Sequence, residues 1–498
     1  MSEPTADAAH KAAVPDPVAA PPGAPGPADE PPTDDAAADL FGDDQALSES
    51  FVRGVAEAVS QADGERVRAL CADLHPADLA DLLGLLGEDD AVGLVSLFGG
   101  ALPPEALAEL EPDLRETIVG AMPAEKVAEA VVDMDTDDAA FVLEDLDDEK
   151  RAEILAEVPT TDRLALHVAL EYEPESAGRL MQRDVFAAPA FWTVGQIIDR
   201  LRGSEDLPDR FFEVFVVDPS FHPIGEVPLS TLLREQREVV INDIIPAREM
   251  RRIPVTMDQE EVAYLFEQYN LISAPVVDAD ERLVGMITVD DVVEIVHSET
   301  HEDMLALAGV ESDEGLSDTV AQTVRSRFSW LAVNLATAIA ASLVIAMFGG
   351  AIEQIVALAV LMPIVASMGG NAGTQTLTVA VRSLATKDLT GSNAARIIWR
   401  EALVGGVNGA LFAVIMGLLA AIYYAATAGP DGALALGAVV GVAMVVNLLI
   451  AGLAGILIPI GLQRVGADPA VSSAVFVTTV TDIVGFVVFL GLAAAVLL

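Results

Sequence analysis

The 498-residue sequence predicts a multidomain membrane protein, in which an acidic front half precedes a five-helix membrane domain. The chain has 77 acidic and 27 basic side chains, a net charge of -50, and yet 52% of its residues are hydrophobic. Residues 328–498 contain only five basic and six acidic residues, so residues 1–327 carry 22 basic against 71 acidic side chains. Such segregation excludes a single soluble enzyme domain. It also excludes nucleic acid as a partner, because the acidic half would repel it.

The first 45 residues consist mainly of Ala, Pro, Asp and Gly and contain almost no large apolar side chain. Such a segment cannot bury enough surface to offset the entropy lost on ordering. We therefore predict a disordered acidic tail over residues 1–45. The single cysteine, Cys71, excludes a disulfide framework and a cysteine-based zinc site.

Residues 46–176 have the pattern of short amphipathic helices. Apolar residues recur three and four positions apart, as in residues 79–86. A proline-led turn recurs every 20 to 27 residues, at Pro76, Pro103 and Pro123. Proline is tolerated in the first turn of a helix, where its missing N–H costs no hydrogen bond. The recurrence predicts an all-α domain of stacked helices that form a superhelix.

A tandem repeat occupies residues 177–300. The β-branched runs 214–218 and 274–278 are sixty positions apart, and each is followed by a glycine at the same spacing, Gly225 and Gly285. Each copy has the pattern strand, turn, strand, helix, which predicts an internally duplicated α/β module. These features resemble a pair of CBS domains, which pack as one pseudo-symmetric module.

The second copy contains Thr288 and Asp291, which fit the position at which CBS domains bind the ribose and phosphate of a nucleotide. The first copy has Pro228–Thr231 at this place and lacks the aspartate. The resemblance therefore implies at most one adenine nucleotide site, with ATP as the candidate ligand. A pair that serves only as scaffold and metal sensor is the alternative.

The end of the second copy is unusually acidic, and the run continues toward the membrane half through a connecting helix predicted over residues 301–327. Asp290 and Glu294 are one helical turn apart, as are Glu299 and Asp303. Like charges at this spacing destabilise a helix unless a cation bridges them. Oxygen ligands without Cys or clustered His favour magnesium or calcium over zinc or copper. For each carboxylate the alternative is a solvated surface.

Residues 328–498 contain five apolar stretches long enough to cross a hydrocarbon core of roughly 30 Å. They lie at about 329–348, 355–381, 397–425, 434–462 and 470–497. Basic residues precede the first stretch and occur in the loops after the second and the fourth, whereas the other two loops have none. This asymmetry predicts a cytoplasmic N-terminus and an outside C-terminus. We expect the membrane to be the inner membrane of the cell.

Two features inside these stretches indicate a cation path. Asp482 is the only ionisable residue deep in the last stretch, where a carboxylate is costly unless it faces water, a cation or a partner. The second stretch contains the motif Met-Gly-Gly-Asn-Ala-Gly-Thr-Gln-Thr at 368–376. Its glycines allow either close packing of another helix or a break that exposes backbone carbonyls. Together with Asp482, the motif favours a pore lining.

Three motifs resemble MgtE-type magnesium channels and transporters: Gly-Gly-Asn-Ala-Gly-Thr-Gln at 369–375, Arg-Ser-Leu-Ala-Thr-Lys-Asp-Leu at 382–389, and Thr-Asp-Ile-Val-Gly at 481–485. The resemblance covers residues 46–498. It implies a homodimer with one pore on the two-fold axis and Mg2+ as both transported and regulatory ion. It also implies that cytosolic Mg2+ closes the pore by bridging the N domain, the CBS pair and the connecting "plug" helix.

The resemblance extends to individual residues. It implies that Asp482 is the pore metal residue, and the predicted pore lining is Gly369, Gly370, Asn371, Gly373, Thr478 and Thr481. The resemblance implies that the regulatory metal residues are Glu105, Asp137, Asp258, Glu260, Asp290, Asp291, Glu294, Glu302 and Asp303. Three positions depart from the family: Phe141 and Asn270 stand where acids are common, and Ala474 stands where some relatives have Asn.

The leading hypothesis is therefore a magnesium-selective channel or transporter, not an enzyme, that mediates Mg2+ influx. No G-x-x-x-x-G-K-[ST] loop occurs, which disfavours an ATP-driven pump. A proton- or sodium-coupled divalent cation transporter, in which Asp482 changes its protonation, is the first alternative. A nucleotide-sensing scaffold that the spans anchor in the membrane is the second.

Overall fold

The computed structural model describes residues 40–42, 46–144, 146–203, 207, 210–247, 249–310 and 320–498, without the side chains of Ser472 and Ser473. The tail predicted over residues 1–45 therefore lies outside the described residues, except for residues 40–42, where Phe41 forms a β-bridge with Leu47. The chain packs as two units that divide between Phe98 and Gly99.

The described part of the first unit is helical. Its helices are α1 (Glu49–Ser60), α2 (Gly64–Cys71), α3 (Pro76–Leu85) and α4 (Glu88–Leu97). Side chains cap two of them, because Ser48 Oγ accepts from Phe51 N at 3.2 Å and Asp63 Oδ1 accepts from Arg66 N at 3.1 Å. The helices bury an apolar face that includes Val55, Leu82 and Leu94.

The second unit begins with six more helices. They are α5 (Pro104–Ala108), α6 (Pro112–Ala121), α7 (Ala124–Asp133), α8 (Thr136–Glu144), α9 (Asp148–Glu157) and α10 (Thr160–Glu171). Arginines satisfy carbonyls at the ends of these helices, where intrahelical partners are lacking. The buried Arg115 donates to Ala108 O at 3.2 Å, and Arg151 donates to Leu143 O at 2.9 Å.

The predicted α/β duplication is confirmed. The first copy has β1 (Ala187–Pro189), α11 (Val194–Gly203), β2 (Glu213–Val217), β3 (Pro223–Pro228) and the short α12 (Leu229–Leu232). After a 3-10 turn (Ile241–Ile244), the second copy has β4 (Ile253–Pro254), α13 (Gln259–Tyr269), β5 (Ser273–Val277) and β6 (Leu283–Thr288). The strand orders are β1-β2-β3 and β4-β5-β6, with one parallel and one antiparallel pairing in each sheet.

The register repeats at the predicted spacing, because Val216 pairs with Gly225 and Val276 pairs with Gly285. At Gly285 a side chain would meet the backbone, since an added Cβ would lie 2.6 Å from Gln182 O. The two copies pack together through an apolar cluster that includes Phe215 and Met286. The sheets therefore form one module.

Helix α14 (Val289–Ala308) follows β6 and extends for 20 residues. It ends where Gly309 adopts a left-handed conformation with φ 75°, which glycine takes without steric cost. The connecting helix predicted over 301–327 is therefore not one helix. Its first part continues α14, residues 311–319 lie outside the described residues, and a new helix begins at Val320.

Five of the described helices are long and apolar enough to cross a membrane, as predicted. The membrane half comprises α15 (Val320–Met347), the short α16 (Gly349–Gln354), α17 (Ala357–Ala385), α18 (Ala394–Ala428), α19 (Ala433–Arg464) and α20 (Pro469–Leu497). Glycines bring α18 close to α19, since an added Cβ on Gly405 would lie 2.6 Å from Leu448 O. The core between α17, α19 and α20 includes Leu358, Met444 and Phe489.

Candidate cation sites

An acidic cluster lies where the helical segment meets the start of α14. We call it the N-domain cluster; its members are Glu109, Asp135, Asp137, Asp138, Asp290, Asp291 and Glu294. Burial, followed by repulsion from Asp291, raises the pKa of Asp138 to about 7. Burial also raises the pKa of Asp291 to about 6, although hydrogen bonds from Thr288 oppose the rise. These carboxylates therefore repel one another across two segments that are far apart in the sequence.

Asp137 has the most unfavourable surroundings in this cluster. Burial and then repulsion from Asp291 place the pKa of its carboxyl well above the ordinary range. Its Oδ1 atom is buried and has no hydrogen-bond partner among the described residues. An enclosed carboxylate oxygen without a donor is costly unless it is protonated or faces a cation. Asp137 therefore fits an oxygen-liganded cation such as Mg2+.

The spacing of the carboxylates limits how such an ion would be held. Within the described residues, no group of three His, Cys, Asp or Glu side chains lies close enough to hold a metal ion directly. Mg2+ gives up its water reluctantly and often keeps several water ligands in protein sites. The N-domain cluster therefore suits a hydrated ion, or one that draws the carboxylates closer together.

The predicted nucleotide residues Thr288 and Asp291 form the cap of α14. Thr288 Oγ1 donates to Asp291 Oδ2 at 2.9 Å, and Thr288 N donates to the same oxygen at 3.2 Å. Thr288 Oγ1 also contacts the carboxylate of Asp290. This capping box fixes the start of the helix that carries the N-domain cluster.

A second acidic cluster lies where α13 and the end of α14 meet the membrane half. We call it the membrane-proximal cluster; its members are Asp258, Glu260, Glu299, Glu302, Asp303 and Asp468. Burial is the main cause that raises the pKa of Glu299 to about 7, and repulsion from Glu260 adds to it. Burial and repulsion from Asp258 raise the pKa of Glu260. Burial and repulsion from Asp468 raise that of Asp303.

Helix caps position two members of the membrane-proximal cluster. Asp258 caps α13, because its Oδ1 accepts from Glu260 N at 2.9 Å. Asp468 caps α20, because its Oδ1 accepts from Ala470 N at 2.7 Å. Both carboxylates therefore lie at fixed helix starts. The cluster connects the CBS pair, the end of α14 and the first turn of the fifth span.

An apolar contact adjoins this cluster. Ala306 and Leu307, at the end of α14, pack against Leu377 of α17 and against Ala470 and Val477 of α20. The last turn of α14 therefore rests on the second and fifth spans, which carry the glycine motif and Asp482. A displacement of α14 would act on both helices.

Asp482 is half-buried on α20. Within the described part of the chain, its carboxylate has no hydrogen-bond or ion-pair partner. Neighbouring hydroxyls bond to their own helix instead, because Thr478 Oγ1 donates to Ala474 O and Thr481 Oγ1 donates to Thr478 O, both at 2.9 Å. The carboxylate is therefore free to face an ion.

The predicted pore-lining residues fall into two groups. Gly369, Gly373 and Thr481 are buried within one chain. An added Cβ on Gly373 would lie 2.5 Å from Val477 Cγ1, and one on Gly369 would overlap Nδ2 of Asn447. In the single chain these three positions thus serve the packing of helices. Gly370 and Thr478 are half-buried, and Asn371 is exposed.

Five carboxylates of the two clusters were absent from the predicted ligand set: Glu109, Asp135, Asp138, Glu299 and Asp468. The predicted Glu105 is exposed on α5. Glu109, one turn later, is the carboxylate that interacts with Asp138 and Glu294. The acidic run 133–138 and the Asp-Pro pair that opens α20 were signals in the sequence. Neither signal by itself indicates which other carboxylates lie nearby in the folded chain.

The three departures from the family pattern have local explanations. The guanidinium of Arg115 lies 3.9 Å from the ring centre of Phe141, so this position makes a cation–π contact. Asn270 ends α13 in a left-handed conformation with φ 50°, which Asn tolerates. Ala474 packs in the apolar contact between α14 and the fifth span.

Comparison with known proteins agrees with this organisation. Models of three families match the chain: the divalent cation transporter family MgtE at residues 362–492, the MgtE intracellular N domain at 74–175 and the CBS domain at 241–298. A magnesium transporter MgtE of Enterococcus faecalis is 33% identical over 65% of this chain and 70% of its own length. One of Thermus thermophilus is 28% identical over 91% of this chain and 99% of its own.

A solved structure of a cytosolic domain matches about half of the chain. The cytosolic domain of the Mg2+ channel MgtE in complex with ATP is 25% identical, with a TM-score of 0.45, over 49% of this chain and 99% of that domain. Given the family models and the identity to the Enterococcus faecalis transporter, the chain belongs to the MgtE family of magnesium transporters, and it is a transporter rather than an enzyme.

Proposed function

We propose that this chain is a homodimeric channel for Mg2+ influx, and that cytosolic Mg2+ closes it by binding to the two acidic clusters. The observation that carries the proposal is the position of α14. Its start contributes to the N-domain cluster and its second half to the membrane-proximal cluster. Its last turn packs on the spans that carry Asp482 and the glycine motif. Binding of cations at either cluster is thereby linked to the pore.

The proposed ion path passes Asp482. Its carboxylate has no partner in the described chain and is half-buried, so a second copy or a hydrated ion completes its surroundings. Asn371, Gly370 and Thr478 are the accessible candidates for the rest of the lining. A membrane potential of 100 mV contributes about 4.6 kcal/mol to moving two charges inward, twice the single-charge value. No further energy source is needed for uptake.

Closure follows from electrostatics. Without Mg2+, mutual repulsion among the clustered carboxylates favours a form in which the acidic segments separate. A bound divalent ion offsets that repulsion and favours the compact form, in which the end of α14 rests on the second and fifth spans. The ion shifts the population only to the extent that it binds the compact form more tightly.

The proposed orientation places the acidic segments in the cytoplasm and the C-terminus outside the inner membrane. The helix ends and loops that carry Arg382, Lys387, Arg396 and Arg464 then lie on the cytoplasmic side, as the positive-inside rule requires. The membrane-proximal cluster lies on the same side, because Asp468 belongs to the short loop that follows Arg464, the last residue of α19. Cytosolic Mg2+ therefore reaches it directly.

An adenine nucleotide such as ATP at Thr288 and Asp291 is a separate proposal. It requires the capping box of α14 to exchange at least one of its hydrogen bonds for the nucleotide. Equilibrium binding of ATP to the purified protein, compared with the Asp291→Asn variant, tests it. Saturable binding that the variant loses supports the site, and equal binding by both proteins contradicts it.

The main test is uptake of Mg2+ into vesicles that contain the purified protein, with the internal Mg2+ concentration varied. We expect fast uptake at low internal Mg2+ and a steep decrease as internal Mg2+ rises. Single-channel currents distinguish a channel from a proton- or sodium-coupled transporter, which would show no such currents and would respond to the coupling-ion gradient. Uptake that is insensitive to internal Mg2+ would contradict the proposed closure.

A further inference from the structure

Asn447 lies in the middle of α19, the fourth span, and its side chain is fully buried. Its Nδ2 donates a hydrogen bond of 2.8 Å to Val365 O of the second span. The Val365 carbonyl can only accept, so the amide nitrogen must face it and Oδ1 must point away. That oxygen is buried and has no partner among the described residues. A buried polar group at this depth is costly, so packing alone does not explain an asparagine at this position.

The carboxamide of Asn447 also explains why two neighbouring positions are glycine. An added Cβ on Gly369 would overlap Nδ2, and one on Gly485 would lie 3.0 Å from it. Gly369 opens the glycine motif of α17, and Gly485 lies one turn after Asp482 on α20. The amide thus fills the space between the two helices that carry the motif and the pore carboxylate. Neither glycine has room for a side chain while Asn447 is present.

We propose that Asn447 is a positioning residue for permeation. Its hydrogen bond to Val365 O fixes α19 against α17, and its contact with Gly485 fixes the rotation of α20. Together these contacts set where the carboxylate of Asp482 stands relative to Gly370 and Asn371. The inference rests on the proposed pore at Asp482. It adds that the geometry of this site, and so its preference among divalent ions, depends on a buried amide in the fourth span.

The test combines two substitutions at neighbouring positions, one that enlarges a side chain and one that shortens the side chain beside it. Gly369→Ala adds a methyl group where the amide stands, and we expect Mg2+ uptake to fall at least tenfold. Asn447→Ala vacates that space but also removes the hydrogen bond to Val365 O. The double variant Gly369→Ala/Asn447→Ala should therefore insert normally and regain part of the lost uptake, with an altered ratio of Mg2+ to Mn2+ uptake. Gly406→Ala on the third span is the matched glycine control, because an added Cβ there meets nothing within 4 Å. Asn408→Ala, an exposed asparagine of the same span, is the control for the amide.

Ion preference separates positioning from simple packing. Asn447→Leu keeps a similar volume but loses the hydrogen bond to Val365 O. We expect it to insert normally and to change the ratio of Mg2+ to Mn2+ uptake at least threefold. A double variant no better than Gly369→Ala would overturn the proposal, as would an Asn447→Leu variant with the wild-type uptake ratio.

Two further measurements keep the outcomes distinct. If Gly369→Ala fails to fold, recovery of membrane insertion and of the melting temperature in the double variant replaces uptake as the readout, and no recovery overturns the proposal. Asp482→Asn is measured in parallel. Wild-type uptake in Asp482→Asn refutes the pore on which the inference rests, whereas loss of uptake there together with unaltered Asn447 variants refutes only the inference.

Discussion

Nζ of Lys387 lies 3.3 Å from Oε1 of Glu261, and so the loop between the second and third spans contacts helix α13 of the CBS pair. The same nitrogen lies 4.4 Å from the ring centre of Tyr264. Lys387 adopts φ 55° just after α17, a left-handed conformation that is uncommon for residues other than glycine. The contact joins the membrane half to the helix that carries Glu260 of the membrane-proximal cluster.

Lys387→Gln removes the charge from this contact and should make closure require more Mg2+. Both side chains are substantially exposed, so the pair contributes only about 0.2–1 kcal/mol. The internal Mg2+ concentration that halves uptake should therefore rise by about 1.4- to 5-fold, since 1.4 kcal/mol is a factor of ten. Lys387→Arg, which keeps the charge, is the control. A lower Mg2+ requirement in Lys387→Gln would show that the contact favours the open form instead.

Asp482→Asn removes the carboxylate from the fifth span and keeps its size. Uptake of Mg2+ should become undetectable, because an amide lacks the charge that attracts a divalent ion at membrane depth. Insertion and dimer formation should be unchanged, since the carboxylate bonds to no other described residue. Asp431→Asn, in the loop before α19, is the matched control and should transport normally. Flux measured with a Mg2+ dye in vesicles decides the outcome.

The pH dependence of compaction follows from the raised pKa values. The pKa values of Asp138 and Glu299 rise to about 7 and that of Asp291 to about 6 in the compact form, so this form binds more protons than a separated one. Without Mg2+, the compact form is then least stable above pH 7 and gains stability as the pH falls from 8 to 6. Protection from protease in EDTA should rise over this range.

The stabilisation of the compact form by Mg2+ should be smaller at low pH, because protons neutralise the carboxylates that would bind the ion. The extra protease protection caused by Mg2+ should therefore shrink between pH 8 and pH 6. Sodium at equal ionic strength controls for general screening. Protection in EDTA that falls as the pH is lowered would reverse the predicted sign and contradict the assignment of raised pKa values to the compact form.

Asp138→Asn distinguishes the two roles of a carboxylate in the N-domain cluster, repulsion of its neighbours and binding of Mg2+. Without Mg2+ the variant should melt at a higher temperature than the wild type, because a buried carboxylate next to Asp291 has been neutralised. Its gain in melting temperature on adding Mg2+ should be smaller, because a ligand has been lost. Asp133→Asn, at an exposed position of α7, should change neither quantity. Thermal unfolding of the purified protein with and without Mg2+ measures both.

Local patterns predicted most of the fold. The sixty-residue offset between Val216 and Val276 and the five apolar stretches depend only on periodicity and hydropathy along the chain, and both have counterparts in the structure. The end of α14 at Gly309 was not predicted. An isolated glycine is compatible with a helix, and its left-handed conformation depends on the turn that follows.

The clusters were predicted less completely than the fold. Asp138 and Glu109 meet Glu294 only through the packing of separate segments, which spacing along the chain does not encode. The sequence also leaves the role of the glycine motif open between helix packing and pore lining, for the same reason. A sequence shows that Gly369 and Gly373 are small but not that Asn447 and Val477 fill the space beside them. Packing within one chain therefore explains these two glycines.

Patch recordings of one combined variant test most directly whether Mg2+ closes the pore by bridging the acidic clusters. In this variant Asp290, Asp291, Glu294, Glu302 and Asp303 are all changed to their amides, which removes five of the six carboxylates that α14 contributes to the two clusters and so removes both ligands and repulsion. We expect currents that close with rising internal Mg2+ in the wild type and that persist at high internal Mg2+ in the variant, because α14 has lost the ligands through which Mg2+ would bridge it. A variant that is closed at both low and high internal Mg2+ would contradict closure by bridging, because repulsion alone would then control the pore.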